Sequence, residues 1–136
     1  MDGIRKVDYW YVTVPHKPGE AARILEAMRD EGVNLLAFHG FPEGRHAQID
    51  LIPEDSARFK AAAAKVNLEL TQRKRAFLFE GSDRVGALAE VTRKLADAGI
   101  DITALDAVTA GSGRFGALFW VPADDYNRAA EVLEAR

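Results

Sequence analysis

Cysteine is absent from the 136 residues, which excludes disulfide frameworks, thiolate metal sites and cysteine nucleophiles. Histidine is scarce: His16, His39 and His46 are all there is. A metal centre needs three or four converging ligands, so these three read as surface histidines. No apolar run approaches the ~18–20 residues that span a bilayer, and the N-terminal Met1-Asp2-Gly3-Ile4-Arg5-Lys6 is polar, without a signal-peptide core. Charge of one sign is also lacking. The 18 basic and 21 acidic residues leave a formal charge of −3, which argues against a dedicated nucleic-acid binder. The serines, Ser56, Ser82 and Ser112, fall at turns or helix starts with no histidine beside them in sequence, so no catalytic constellation is visible. These exclusions leave a soluble, cytoplasmic protein without catalysis.

What is present is a repeat. Lys17-Pro18-Gly19 opens a helical pattern that closes at Gly32-Val33-Asn34-Leu35, and Arg84-Val85-Gly86 opens another that closes at Gly99-Ile100-Asp101-Ile102. Gly19 and Gly86 are 67 positions apart, as are Gly32 and Gly99. Between them Ala21, Ile24, Leu25 and Met28 correspond to Leu88, Val91, Thr92 and Leu95. This is the i, i+3, i+4, i+7 stripe of a helix packed on one side. A repeat of this length is a small domain rather than a solenoid turn.

Each copy reads as β-α-β-β-α-β. In the first, Val7–Val14 alternates Tyr9/Tyr11/Thr13 with Trp10/Val12/Val14, as a strand does. Pro18 falls at the first turn of a helix that Gly32 stops. Strands follow over Val33–Phe41 and about Ala47–Leu51, then a helix with Phe59, Ala62, Ala63 and Val66 on one face, then a short strand from Asn67 to Thr71. In the second, Tyr126, Ala129, Ala130 and Leu133 repeat the second helix. The fold class is α+β, two antiparallel sheets each with helices on one face, with units over residues 1–72 and 73–136. The second unit lacks a clear fourth strand. Its first strand therefore needs cover for an open edge, either from Leu68–Thr71 or from a partner chain.

Gly111-Ser112-Gly113-Arg114-Phe115-Gly116 matches G-x-G-x-x-G but is followed by a strand pattern, Ala117–Val121, so it reads as a hairpin turn and not a dinucleotide site. Arg73-Lys74-Arg75 reads as a solvated connection. The β1–α1 loops are the candidates for binding chemistry. Each places a glycine, Gly19 or Gly86, at a helix N-terminus, where unpaired N–H groups and the helix dipole favour a carboxylate or phosphate. The following strand offers Asn34 or Asp101, which the spacing suggests for the other end of an amino acid. Equally, the glycines permit a tight loop and Asn34 and Asp101 cap a turn.

The pattern resembles the ACT domain, a ferredoxin-like regulatory module whose signature is a D-R-P-G-like loop before the first helix and G-V-N-I after it. His16-Lys17-Pro18-Gly19 with Gly32-Val33-Asn34-Leu35, and Asp83-Arg84-Val85-Gly86 with Gly99-Ile100-Asp101-Ile102, carry the likeness. It extends from about Val7 to Leu133. His16 stands where the family has Asp, Val85 where it has Pro, and Asp101 where Asn is frequent. The resemblance implies two tandem ACT units that bind a small effector, an amino acid, without a cofactor. The residues implied in binding are Lys17, Pro18, Gly19, Glu20, Asn34 and Leu35, and in the second copy Arg84, Val85, Gly86, Asp101 and Ile102. It implies regulation of a partner enzyme, with a structural interaction module or regulatory subunit that binds no metabolite as the alternative. A homodimer is expected, because large apolar residues occupy both faces of the strands (Tyr9 and Tyr11 against Trp10, Leu118 and Trp120 against Phe119).

Overall fold

The computed structural model describes residues 3–136; Met1 and Asp2, the start of the polar N-terminal segment, lie outside the described residues. Six strands and four α-helices are formed: β1 (Gly3–Pro15), α1 (Glu20–Asp30), β2 (Leu35–Glu43), β3 (His46–Pro53), α2 (Ser56–Lys65), β4 (Lys74–Ser82), α3 (Ala87–Asp97), β5 (Ala104–Gly111), β6 (Arg114–Trp120) and α4 (Tyr126–Leu133). They make two compact units. One is Asp8–Lys74; the other joins the described residues up to Val7 to Arg75–Arg136.

In the Asp8–Lys74 unit the strand order is β2-β3-β1, and both pairs are antiparallel, with Val12 opposite Ile49 and Phe38 opposite Leu51. Trp10, Val12 and Val14 from β1 meet Ile24 and Met28 of α1 and Phe59 and Ala62 of α2 in one core. Trp10 and Phe59 lie with ring centroids 5.4 Å apart. Asn67–Thr71 does not form a regular strand. The Thr71 N–H donates to Tyr11 O at 3.2 Å and Thr71 Oγ1 accepts from the Tyr11 N–H, while Leu68 and Leu70 rest on the core.

The second unit repeats this core 67 residues on. Phe77, Val91, Leu95, Tyr126 and Ala129 occupy the places of Trp10, Ile24, Met28, Phe59 and Ala62. Phe77 stacks on Tyr126 at 4.5 Å, and the Tyr126 hydroxyl, buried, donates to Ala76 O at 3.0 Å. A buried phenol needs such a partner. β4 pairs with β6 and β6 with β5, all antiparallel. Ser112 and Gly113 take left-handed conformations in the β5–β6 turn, so the glycine-rich motif is a hairpin.

The open edge of β4 is filled from within the chain, and here the structure corrects the expectation. β1 begins at Gly3, four residues earlier than the apolar alternation indicates, and it lies beside β4, giving the order β1-β4-β6-β5. Arg5 Nη2 pairs with Glu80 Oε1 at 3.0 Å, Ile4 packs on the second core, and Val7 is buried. On the far side Lys6 and Ile4 bond the backbone of Arg136. Neither Leu68–Thr71 nor a partner chain is needed there. The compact units differ from the expected 1–72 and 73–136 in the described residues up to Val7 and in Arg73 and Lys74.

The outer sheet faces also differ from expectation. Leu118, Trp120, Leu78 and Ile52, all off the helix-facing side, are buried, so they form no exposed apolar patch. The buried Asp50 lies opposite His39 on β2 and Tyr11 on β1. Burial pushes its carboxyl pKa up, partly offset by the hydrogen bond from Gln48 Nε2 at 3.0 Å and by the charges of His39 and Lys74. No helix among the described residues is long and apolar enough to cross a membrane.

Candidate ligand site

In the Asp8–Lys74 unit, β1 ends at Pro15 and α1 begins at Glu20. The connection turns tightly: Lys17 N–H donates to Pro15 O at 3.0 Å, and His16 N–H to Arg45 O, on the β2–β3 hairpin tip, at 3.0 Å. Gly19 takes φ +95°, a region costly for any residue with a Cβ. As the N-cap it has no side chain to satisfy the first-turn N–H groups. Pro18 precedes this cap and is not in the first helical turn, because the left-handed residue intervenes.

Between this loop and the hairpin is a cavity of about 340 Å³. Lys17 and Glu20 line it from the loop and first turn, and Val14, Phe38, Phe41 and Ile49 from the sheet. Glu20 is held by Arg23 at 2.9 Å. The second unit builds the same feature. Asp83 N–H donates to Gly113 O at 2.8 Å, tying the β4–α3 loop to its hairpin as His16 does in the first copy. Gly86 takes φ +78° as N-cap without a side-chain cap. A cavity of about 330 Å³ is lined by Asp83, Arg84, Gly86, Val108, Thr109 and Phe115, among others. Arg84 Nη2 pairs with Glu90 Oε2 at 3.1 Å. Val85 is fully exposed and does not line it.

Asn34 and Asp101 are not brought to these cavities. Asn34 Nδ2 donates to Glu54 Oε2 at 2.8 Å, in a separate hollow of about 210 Å³ shared with Gly32, Asp55 and Arg58. The reason is elementary: an 11-residue helix is about 16 Å long, so the residue after it starts β2 at the opposite end of the unit. Asp101 is exposed beyond the end of α3. Leu35 and Ile102 pack against the two cores. Sequence spacing missed Phe38, Phe41 and Val108 as lining residues. The signal available was their position on the strand after each helix, 67 apart for Phe41 and Val108.

Residues 76–136 match the model of the ACT domain family. That segment is an ACT domain. The Asp8–Lys74 unit shares its topology, and the whole chain resembles several solved structures in fold. Protein BT0572 from Bacteroides thetaiotaomicron is 17% identical, with a TM-score of 0.82, covering 96% of this chain and 88% of that one. The ligand-free regulatory subunit of aspartate kinase from Thermus thermophilus is 15% identical, with a TM-score of 0.65, covering 98% and 94%. The aspartokinase alpha and beta subunits give 19% identity and a TM-score of 0.58, covering 97% and 95%. At such identities the likeness is one of fold. A comparison with curated proteins finds no sequence match.

Proposed function

We propose that the chain is a cytoplasmic, non-catalytic regulatory module that binds an amino acid and signals to a partner enzyme. One observation carries the reading: two cavities of about 340 and 330 Å³ recur at equivalent places in the repeat. Each is bounded by a helix N-terminus without a side-chain cap. Volumes near the lower end of the ~300–1,000 Å³ range suit a single small metabolite. In the first, the N–H groups with Lys17 hold the carboxylate, and Glu20 takes the ammonium group. In the second, where Ala87 and Ala89 N–H donate to Arg84 O and Gly86 O, Arg84 and the Leu88 N–H hold the carboxylate, and Asp83 takes the ammonium group. Asn34, Leu35, Asp101 and Ile102 enter such a site only if a second copy brings them to it.

Binding across a loop and a hairpin favours one arrangement of those two segments, and a partner that senses it responds to the effector. Similarity in fold to regulatory subunits of aspartate kinase supports a partner enzyme in amino-acid metabolism. A homodimer fits the edge positions of β2 and β5 in their units, which leave strand edges open to pairing; sedimentation at low micromolar concentration tests it against a monomer of 14.9 kDa.

A thermal-shift screen against the twenty amino acids tests the main reading. A ligand raises apparent stability by RT ln(1 + [L]/Kd), so at least one amino acid raises the melting temperature. If none does at millimolar concentration, the alternative, an interaction module that binds no metabolite, takes its place.

A further inference from the structure

We infer that the cavity of the Asp8–Lys74 unit selects an amino acid with an uncharged, apolar side chain, and that the cavity of the second unit does not share this selectivity. The inference rests on the amino-acid reading above and names the class of side chain. Polar and apolar groups are segregated in the first cavity. Its charged lining residues, Lys17 and Glu20, come from the loop and the first turn of α1, with His16 beside them. The hairpin contributes Phe38, Gly40, Phe41, Pro42, Ala47 and Ile49, with no charged side chain. A ligand whose carboxylate and ammonium groups lie at the loop therefore projects its side chain over an apolar strip. A charged side chain there loses water with no counter-charge to replace it.

Phe38, on the helix-facing side of β2 with Leu51 opposite it, is 36% exposed. A large side chain so placed gains by being covered, and a ligand side chain lying over the strip covers it. The second cavity has Ala107, Val108 and Thr109 where the first has Gly40, Phe41 and Pro42, and Asp83 where the first has His16. Thr109 brings a hydroxyl to this wall where the first has Pro42, and Phe38 has no counterpart among its lining residues, so the wall is less uniformly apolar. The repeat kept the frame and changed the wall.

Calorimetric titration of the full chain with leucine, phenylalanine, serine, aspartate and lysine tests this, together with two variants. Ala21→Asp adds a charge to the first cavity at an exposed position in the first turn of α1, where acidic residues suit a helix. Ala89→Asp does the same in the second. The expected result is leucine or phenylalanine binding at least tenfold tighter than aspartate or lysine, with that affinity lost at least tenfold in Ala21→Asp and kept in Ala89→Asp. Serine, aspartate or lysine binding as tightly as the apolar pair overturns the selectivity and leaves amino-acid binding standing. Loss in Ala89→Asp with retention in Ala21→Asp overturns the assignment to the first cavity. No binding by any of the five overturns the inference, and if the thermal-shift screen of all twenty is also blank, the reading beneath it falls as well.

Discussion

The backbone N–H of Lys6 donates to the carbonyl oxygen of Arg136 at 2.9 Å, and the N–H of Arg136 donates to Ile4 O at 3.1 Å. The start of β1 is thus fastened to the last residue of α4's unit. Removing residues 1–7 exposes the edge of β4 and the apolar surface beneath Ile4 and Val7. Hydrogen exchange should show faster exchange throughout β4 and β6 in the shortened chain, and a lower melting temperature. Unchanged protection there would mean that the strand merely rests on its unit.

Tyr126 and Phe59 occupy the same place in the two copies, yet only the tyrosine carries a hydroxyl. Tyr126→Phe removes the donor to the Ala76 carbonyl and leaves a buried acceptor unpaired. The expected cost is about 1–3 kcal/mol, read as a shift of the urea midpoint at constant slope. A shift of a few tenths of a kcal/mol would show that β4 finds the carbonyl another partner.

How far the sequence reaches is clear from particular residues. Ile24 and Met28, with Val91 and Leu95, are readable as helix core because a 3.6-residue period needs no tertiary information. Gly3–Lys6 was not readable as a strand. Two of its four residues are cationic, and its pairing with β4 depends on chain segments some 70 positions apart. Asn34 looks close to Gly19 in a motif, but the length of α1 separates them. A signature records order along the chain, and only the helix rise converts order into distance.

Asp50 gives a pH dependence with a definite sign. Its pKa in the folded chain is raised above the ordinary 3.8, with burial the leading cause. The folded state therefore holds this proton more tightly than the unfolded chain. The contribution is fully present below the unfolded pKa and is lost as pH rises through the folded one. Asp50→Asn keeps an acceptor for Gln48 and removes the charge. Relative to wild type, the variant should gain stability as pH rises from about 4 toward 7. A difference that stays constant over that range would show that Asp50 is well solvated or well paired as an anion.

Asn34→Ala separates a site within one unit from one built by two copies. With the effector held by Lys17, Glu20 and the first turn of α1, the variant should bind it with unchanged affinity, and Lys17→Met should bind it at least tenfold more weakly. Calorimetry on both decides. Loss of affinity in Asn34→Ala would bring the far end of a second copy into the site.

The central claim is that an amino acid occupies the cavity between the β1–α1 loop and the β2–β3 hairpin. Amide chemical shifts of the isotopically labelled chain, followed as leucine or phenylalanine is added, test it most directly. Occupancy predicts saturable shifts concentrated in residues 14–21 and 38–42, with the hollow around Asn34, Glu54 and Arg58 unmoved. No saturable shift, or shifts confined to that second hollow, would contradict it.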